Sequence, residues 1–452
     1  MTQIFFAATQ YAAATITAAI RAGLFGAREG QRRLLVVSNT SAIPELSTPL
    51  DRMAGFDKLR PEFDAVHSWN ETIAPHHPVG WSPRIQDTPL WERALRLAWD
   101  LGDGPVEIAC ESIQANPSRV FASIFADSPI HVYADGLMSY GPTRNKIPVE
   151  MNTRIERLLH LDLVPGLRPM LLSEYGVEPV AIPNEPFREV LAEIGGTGAT
   201  VLAERLPAEA DSRPTAVLLG QYLSALELIT QQEEEDLHIR MLRGAVTAGH
   251  TSVVFKPHPS APSQFSQSLE QAAEELGVRL TVLDVPVLAE TLFEQARPEL
   301  VVGCFSTALM TAAAFYDIPV ARVGTEMLLE RITPYENSNR VPLTVIDAAL
   351  PNLERGGDAI GKPLDLTPEA VADRLAPLVR AVGYCMQSVK YAPLRGEVAA
   401  WLTGHLAEHA RYFKRRRLTS LRLPGGSPVK AEALRRNPAV RRVVRTIRSA
   451  RA

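Results

Sequence analysis

The sequence predicts an α/β protein made of two facing Rossmann-like domains followed by a basic helical tail. Three observations carry that expectation. Short apolar runs alternate with helical patterns along most of the chain, as in parallel sheets wound on both faces. The alternation breaks once into Pro, Gly and small polar residues, and the charge changes sign near the end. At 452 residues the chain has room for two or three domains of roughly 150 residues. With 22% charged and 46% hydrophobic residues and a mean hydropathy of -0.03, its composition is neither that of a disordered chain nor of a membrane-embedded one.

The first elements are a buried strand at residues 3–8 and a helix at 10–22 that stops at Gly23. The stretch 4–20 is uncharged, and Ala12, Ala13 and Ala14 would suit a signal-peptidase site, but no cationic segment precedes it. Thr9, Gln10, Thr15 and Thr17 also interrupt it as a membrane span. The series continues with a strand at 33–38, a helix at 90–101, a strand at 106–110, a helix at 117–125 and a strand at 130–133. After the break, strands at 216–219, 252–256, 279–283, 300–303 and 318–323 alternate with helices at 233–248, 264–276, 287–296 and 306–316. The expected division is therefore an N-terminal domain at 1–190, a linker at 191–214 that contains Gly195, Gly196, Thr197 and Gly198, a C-terminal domain at 215–405 and a tail at 406–452.

Residues 411–452 hold 14 Lys and Arg against the single acid Glu432, while the remainder has 33 bases and 50 acids. An acidic body with a basic tail calls for an anionic partner. Asn437 and Pro438 would start a helix with Val440, Val443, Val444 and Ile447 on one side. Arg435, Arg441, Arg442, Arg445 and Arg448 would meet an anionic membrane surface, with a disordered solubilising tail as the bland alternative. The expected location is the cytoplasmic face of a membrane, and nucleic acid is not an expected partner. Cys110, Cys304 and Cys385 stand at wide spacings that fit neither a disulfide framework nor a zinc site, which suits a reducing compartment.

Ligands of such sheets sit beyond the carboxyl ends of the strands, so the loops after residues 133, 256 and 303 matter most. The first reads Ala134-Asp135-Gly136, where Asp135 is placed as a general base, although an ordinary Asp-Gly turn looks the same. Glu111, Gln114 and Asn116 follow the preceding strand and are candidates for the acceptor side of the same crevice. In the second loop, Lys256 and His258 suit a phosphate and Pro259 stiffens the loop; a solvated proline-bounded loop is the alternative. In the third, Ser306 and Thr307 open a helix, suited to an anion or simply to capping. Glu290, in a helix first turn, suits either ribose hydroxyls or the helix dipole. No Asp-x-Asp loop for a metal and no Walker sequence occurs, so neither metal nor cofactor is expected.

Asp135-Gly136, then His258-Pro259, then Ser306-Thr307, in that order and at that spacing, resemble the bacterial sialyltransferases, in particular the alpha-2,8-polysialyltransferase-like group. The resemblance covers about residues 1–400 and implies a GT-B-like glycosyltransferase. It implies an inverting, metal-independent transfer of sialic acid from a CMP-activated donor to a glycan or lipid-linked glycan acceptor, extending a capsule-like polymer of the cell envelope. It assigns Asp135 the acceptor proton, His258 the phosphate and departure of CMP, and Ser306 and Thr307 the phosphate. Lys256 would lie near the cytosine and Glu290 at the ribose. One departure matters: the first acidic position of the family motif is Ala134 here, which leaves a single carboxylate. Rivals are a CMP-Kdo-type transferase, a CDP-glycerol-using teichoic-acid polymerase, which would need a basic His in the first half, where His131 precedes Asp135 on the wrong side of the loop, and a non-catalytic membrane-associated nucleotide-binding protein.

Overall fold

The computed structural model describes residues 1–206, 214–258, 266–355 and 365–427. Seven strands build the first sheet: β1 (Thr2–Ala7), β2 (Arg32–Val37), β3 (Ala65–Ser68), β4 (Val106–Glu111), β5 (Ile130–Ala134), β6 (Ile155–Leu161) and β7 (Glu178–Ile182). They lie in the order β3-β2-β1-β4-β5-β6-β7, every pair parallel. Five more build the second: β8 (Ala216–Leu219), β9 (Ser252–Lys256), β10 (Arg279–Val282), β11 (Leu300–Gly303) and β12 (Val320–Arg322), in the order β10-β9-β8-β11-β12, again all parallel. Two parallel, doubly wound sheets are the Rossmann-like pair that the alternation predicts.

Central strands read as unbroken apolar runs because helices cover both of their faces. Every residue of β1, β8 and β11 is buried, whereas the edge strands β3 and β10 are not. Along β1 the side chains alternate between two cores. Phe5 and Ala7 join the one that runs on through the second half, and Ile4 and Phe6 face Trp69, Trp99 and Phe121. The uncharged N-terminal stretch is β1 and the helix Gln10–Arg21, capped by Thr9, whose hydroxyl accepts the Ala12 N–H at 3.0 Å. Among the described residues no helix is long and apolar enough to cross a membrane.

β3, β6 and β7 depart from the expected series. Each carries polar or imino residues that hide the pattern: His67 in β3, Glu156, Arg157 and His160 in β6, and Pro179 in β7. The supposed linker is a larger departure, since Asn184–Ala203 is one helix. A Cβ at position 198 would stand 2.7 Å from Thr291 Cγ2, so Gly198 lets this helix press against the helix Ala289–Ala296 of the second half. Its other side packs on Gln10–Arg21 of the first half. Glycine in a helix interior costs about 1 kcal/mol, which is why composition alone reads as a loop here; close packing between the halves outweighs that cost.

The expected tail boundary at 406 cuts the helix Arg395–His409. The chain beyond it folds onto the body, with Tyr412, Phe413, Leu418 and Leu423 buried. Arg411 pairs with Asp347 at 2.8 Å and Arg417 with Glu336 at 2.8 Å, so part of the positive charge assigned to the tail neutralises the body instead. Arg435, Arg441, Arg442, Arg445 and Arg448 lie outside the described residues, as does Pro259. The C-terminal helices also return to the first half: Lys390 pairs with Glu174 at 3.4 Å, and the Tyr391 hydroxyl donates to the Met170 carbonyl at 2.7 Å. All three cysteines are free and buried.

Candidate active site

In each sheet the strand order reverses beside the first strand of that half, between β1 and β4 and between β8 and β11. The crevice at such a reversal is where an open α/β sheet receives its ligand. At the first reversal, the carboxylate of Glu111 ends β4 and accepts the N–H of Ala8, which follows β1. Next along the edge, β5 delivers Asp135, whose half-buried loop turns through Gly136, with the Ser139 hydroxyl donating to the Gly136 carbonyl at 3.0 Å. Burial pushes the carboxyl of Asp135 above the usual carboxylate range. Glu111 is pushed up by burial first and by the charge of Asp135 second.

At the second reversal, Gln221 follows β8 and its side-chain oxygen accepts the Phe305 N–H at 2.7 Å, which fixes the loop after β11. That loop leads into the helix Thr307–Tyr316, where the Ser306 hydroxyl accepts the Ala308 N–H at 3.3 Å. The capping role of Ser306 is therefore realised, and the helix start it forms favours an anion. Lys256 ends β9, buried, and donates to the Val285 carbonyl at 2.8 Å. Burial pulls its pKa down to about 8 against the opposing charge of Asp284. His258 lies exposed at the mouth, and its imidazole is held below the usual histidine range by partial desolvation and by Lys256 beside it.

The halves meet in this region. The Leu137 N–H points to Thr307 Oγ1 at 3.5 Å, and a Cβ on Gly136 would stand 3.0 Å from the same oxygen, so glycine admits the start of the helix to the Asp135 loop. Tyr11, from the helix Gln10–Arg21, meets Thr311 Oγ1 at 3.2 Å across the seam. Thr311 in turn hydrogen-bonds Glu290, and the Tyr11 hydroxyl feels the charges of both Glu290 and Asp135. Burial raises the Glu290 carboxyl to about 7.

Several expectations change with this geometry. Glu290 is buried and faces Thr311 and Tyr11 at the seam. Gln114 spends its side-chain oxygen on the Asn145 N–H at 2.8 Å. Asn116 donates to the carbonyls of Val79 and Trp81 at 3.3 and 3.1 Å, so both side chains brace loops. Of the three acceptor-side candidates only Glu111 stands beside Asp135. Tyr11, Gln221 and Thr311 were not singled out from the sequence. Gln221 was findable, because the rule that directs attention to strand ends applies equally after residue 219. Farther along the first edge, a groove of about 590 Å³ opens past the ends of β2 and β3, lined by Ser38, Asn39, Ser68, Asn70, His76 and His77 among others. It begins three strand spacings from Asp135, about 14 Å.

No curated protein matches the sequence. Among solved structures the chain is similar to a sialyltransferase from Photobacterium damselae at 13% identity, covering 76% of this chain and 95% of that one with a TM-score of 0.40. It is also similar to a UDP-GlcNAc 2-epimerase from Methanocaldococcus jannaschii at 11% identity, covering 85% of this chain and 100% of that one with a TM-score of 0.44. Likeness at those values says nothing about chemistry. The family profile described as alpha-2,8-polysialyltransferase (POLYST) matches residues 3–325, a span that takes in Glu111, Asp135, Lys256, His258, Ser306 and Thr307. On that match the chain belongs to the alpha-2,8-polysialyltransferase family, and it is a glycosyltransferase of the sialyl-transferring kind.

Proposed function

We propose that the protein moves a sialic acid, or a related nonulosonic acid, from a CMP-activated donor to a hydroxyl of a surface-glycan or capsule-like acceptor, with inversion and without a metal. The observation that carries this reading is the seam itself: a desolvated carboxyl, Asp135, beside the Thr307 end of a helix suited to an anion. Asp135 takes the acceptor O–H proton as that oxygen bonds the anomeric carbon. The bond from the anomeric carbon to the phosphate oxygen breaks with its electron pair, and CMP departs. His258 and the Ser306–Thr307 helix start stabilise the phosphate oxygens that gain charge, and Lys256 adds a buried cation near the cytosine. The groove past β2 and β3 receives the acceptor chain.

Thermal unfolding of the full chain with CMP, CDP or UDP tests the donor site. A ligand at 100 times its Kd stabilises by about 2.7 kcal/mol. The expected result is a CMP-selective rise in melting temperature that His258→Ala abolishes. A rise with CDP or UDP and none with CMP would overturn the reading.

On the same reading, residues 428–452, with eight Lys and Arg against Glu432, hold the enzyme at an anionic, cytoplasmic membrane face where lipid-linked acceptors are presented. Because Leu418 and Leu423 belong to the folded body, the truncation that tests this ends at Ser427. Full-length protein should sediment with anionic liposomes and the truncated form should not; equal sedimentation rules the anchor out.

A further inference from the structure

Ala134 leaves the acidic motif one carboxylate short, and β4 supplies another from next door. β4 and β5 pair with Glu111 opposite Tyr133, and Asp135 stands two positions beyond Tyr133. The two-residue period of extended chain therefore brings both carboxylates to one face of the sheet edge on adjacent strands. Long side chains at such diagonal positions, about 7–8 Å apart at the backbone, are within reach of each other. Glu111 is also fixed in place, since it accepts the Ala8 N–H across the reversal between β1 and β4. We propose that Glu111 replaces the carboxylate missing at Ala134 and, acting through Asp135, sets the orientation and proton affinity of that base. The inference rests on the reading of Asp135 as the base and makes Glu111 a positioning residue.

The titratable groups on the side of the pair are Tyr133 from β5, Tyr11 from the helix Gln10–Arg21 and, beyond Tyr11, Glu290 from the second half, while Cys110 lies under the other face and feels the charge of Glu111. Among the described residues, no Lys or Arg is among the groups whose charge shifts either carboxyl. Two carboxyls without a cation lose their protons in separate steps that belong to the pair. Between those steps one proton remains: Asp135 is free to accept the acceptor's proton while Glu111 keeps its own. During transfer the proton moves from the acceptor oxygen to Asp135, that oxygen bonds the anomeric carbon, CMP leaves, and Glu111 gains and loses nothing overall.

The test is the pH profile of CMP release by the full-length chain, with CMP-N-acetylneuraminic acid as donor and a sialylated oligosaccharide as acceptor. Glu111→Gln keeps an oxygen for the Ala8 N–H but cannot ionise. The expected result is a two-step profile in the unchanged protein, loss of the upper step in Glu111→Gln with kcat lower by about tenfold or more, and a return of two steps in Glu111→Asp. A Glu111→Gln enzyme with the unchanged rate and profile, alongside an inactive Asp135→Asn, would sink this inference and leave Asp135 as the base. An active Asp135→Asn would overturn both. If Glu111→Gln does not fold, the Glu111→Asp profile decides: a displaced upper step supports the pair, and an unmoved one refutes it.

Discussion

At the reversal of the first sheet Glu111 receives the Ala8 N–H, and at the reversal of the second Gln221 receives the Phe305 N–H. The two halves use one backbone solution, a side-chain oxygen bridging strand-end loops, with opposite electrical consequences. In the first half the bridging group is a carboxyl, a second carboxyl stands beside it, and burial favours the proton on both. In the second half the bridge is a neutral amide, which adds no negative charge of its own beside the helix start at Ser306. A carboxylate at position 221 would repel the phosphate, and a cation beside Asp135 would drain its basicity. Shared topology thus builds a crevice in each half, and on the proposed function the choice of acid or amide suits the first to accept a proton and the second to hold an anion.

The largest expected effect comes from removing the proposed base. Asp135→Asn should lower kcat by about 10²–10⁴-fold, measured as CMP release, with no loss of thermal stability because the amide has the same shape and needs no ionisation. An enzyme that keeps its rate would mean that the first-half crevice does not abstract the proton. On the opposite side, His258→Ala should cost about 10²–10³-fold, the typical loss for one group that stabilises developing charge, and should erase the CMP-selective melting shift. Equal losses of activity with the CMP shift intact in both variants would place His258 outside the donor site and break the contrast between the halves.

Much of this contrast was legible before folding. The apolar runs at β1, β8, β9 and β11 mark strands because parallel sheets need them, and the motifs sit at strand ends as topology requires. Other parts were hidden for physical reasons. In β6, Arg157 donates to the His131 ring through a 3.1 Å hydrogen bond, so it is satisfied within the protein while reading as a surface residue. Burial, with the charge of Arg157 added, pushes His131 down to about 4. Gly195–Gly198 looks like a hinge until the helix Ala289–Ala296 is laid against it. Glu111 and Asp135 are 24 positions apart, and only the β4–β5 register makes them neighbours. Tyr11 carries no motif at all, because its relevance comes from the seam that Thr311 completes.

Glu290 offers a smaller, pH-dependent test of the seam. Its folded pKa of about 7 lies above the ordinary value, so the folded protein holds that proton more tightly than the unfolded chain. The resulting stability is fully present below about pH 4 and is lost as pH rises through about 7, amounting to about 3 kcal/mol at most. Glu290→Gln cannot ionise and carries no such slope. Urea unfolding at pH 5 and pH 8 should therefore show the variant gaining stability relative to the unchanged protein as pH rises. A constant difference would mean that Glu290 is not buried at the seam.

The smallest expected effect concerns how closely the two crevices are pressed together. Gly136 has φ -143°, an extended conformation that any residue adopts, so alanine there costs nothing in backbone strain. Its cost comes from the 3.0 Å approach of the new Cβ to Thr307 Oγ1. Gly136→Ala should lower unfolding stability by about 1 kcal/mol, in the range of modest overpacking. Thr307→Ala removes the oxygen it strikes, so in that background the Gly136→Ala change should cost little, giving a coupling of at least about 0.5 kcal/mol. Stability rather than activity is the proper readout, because the proposed function also places Thr307 at the phosphate. If Gly136→Ala costs the same with and without Thr307, the two loops do not meet in solution, and the halves must face each other across an open cleft until substrate draws them together.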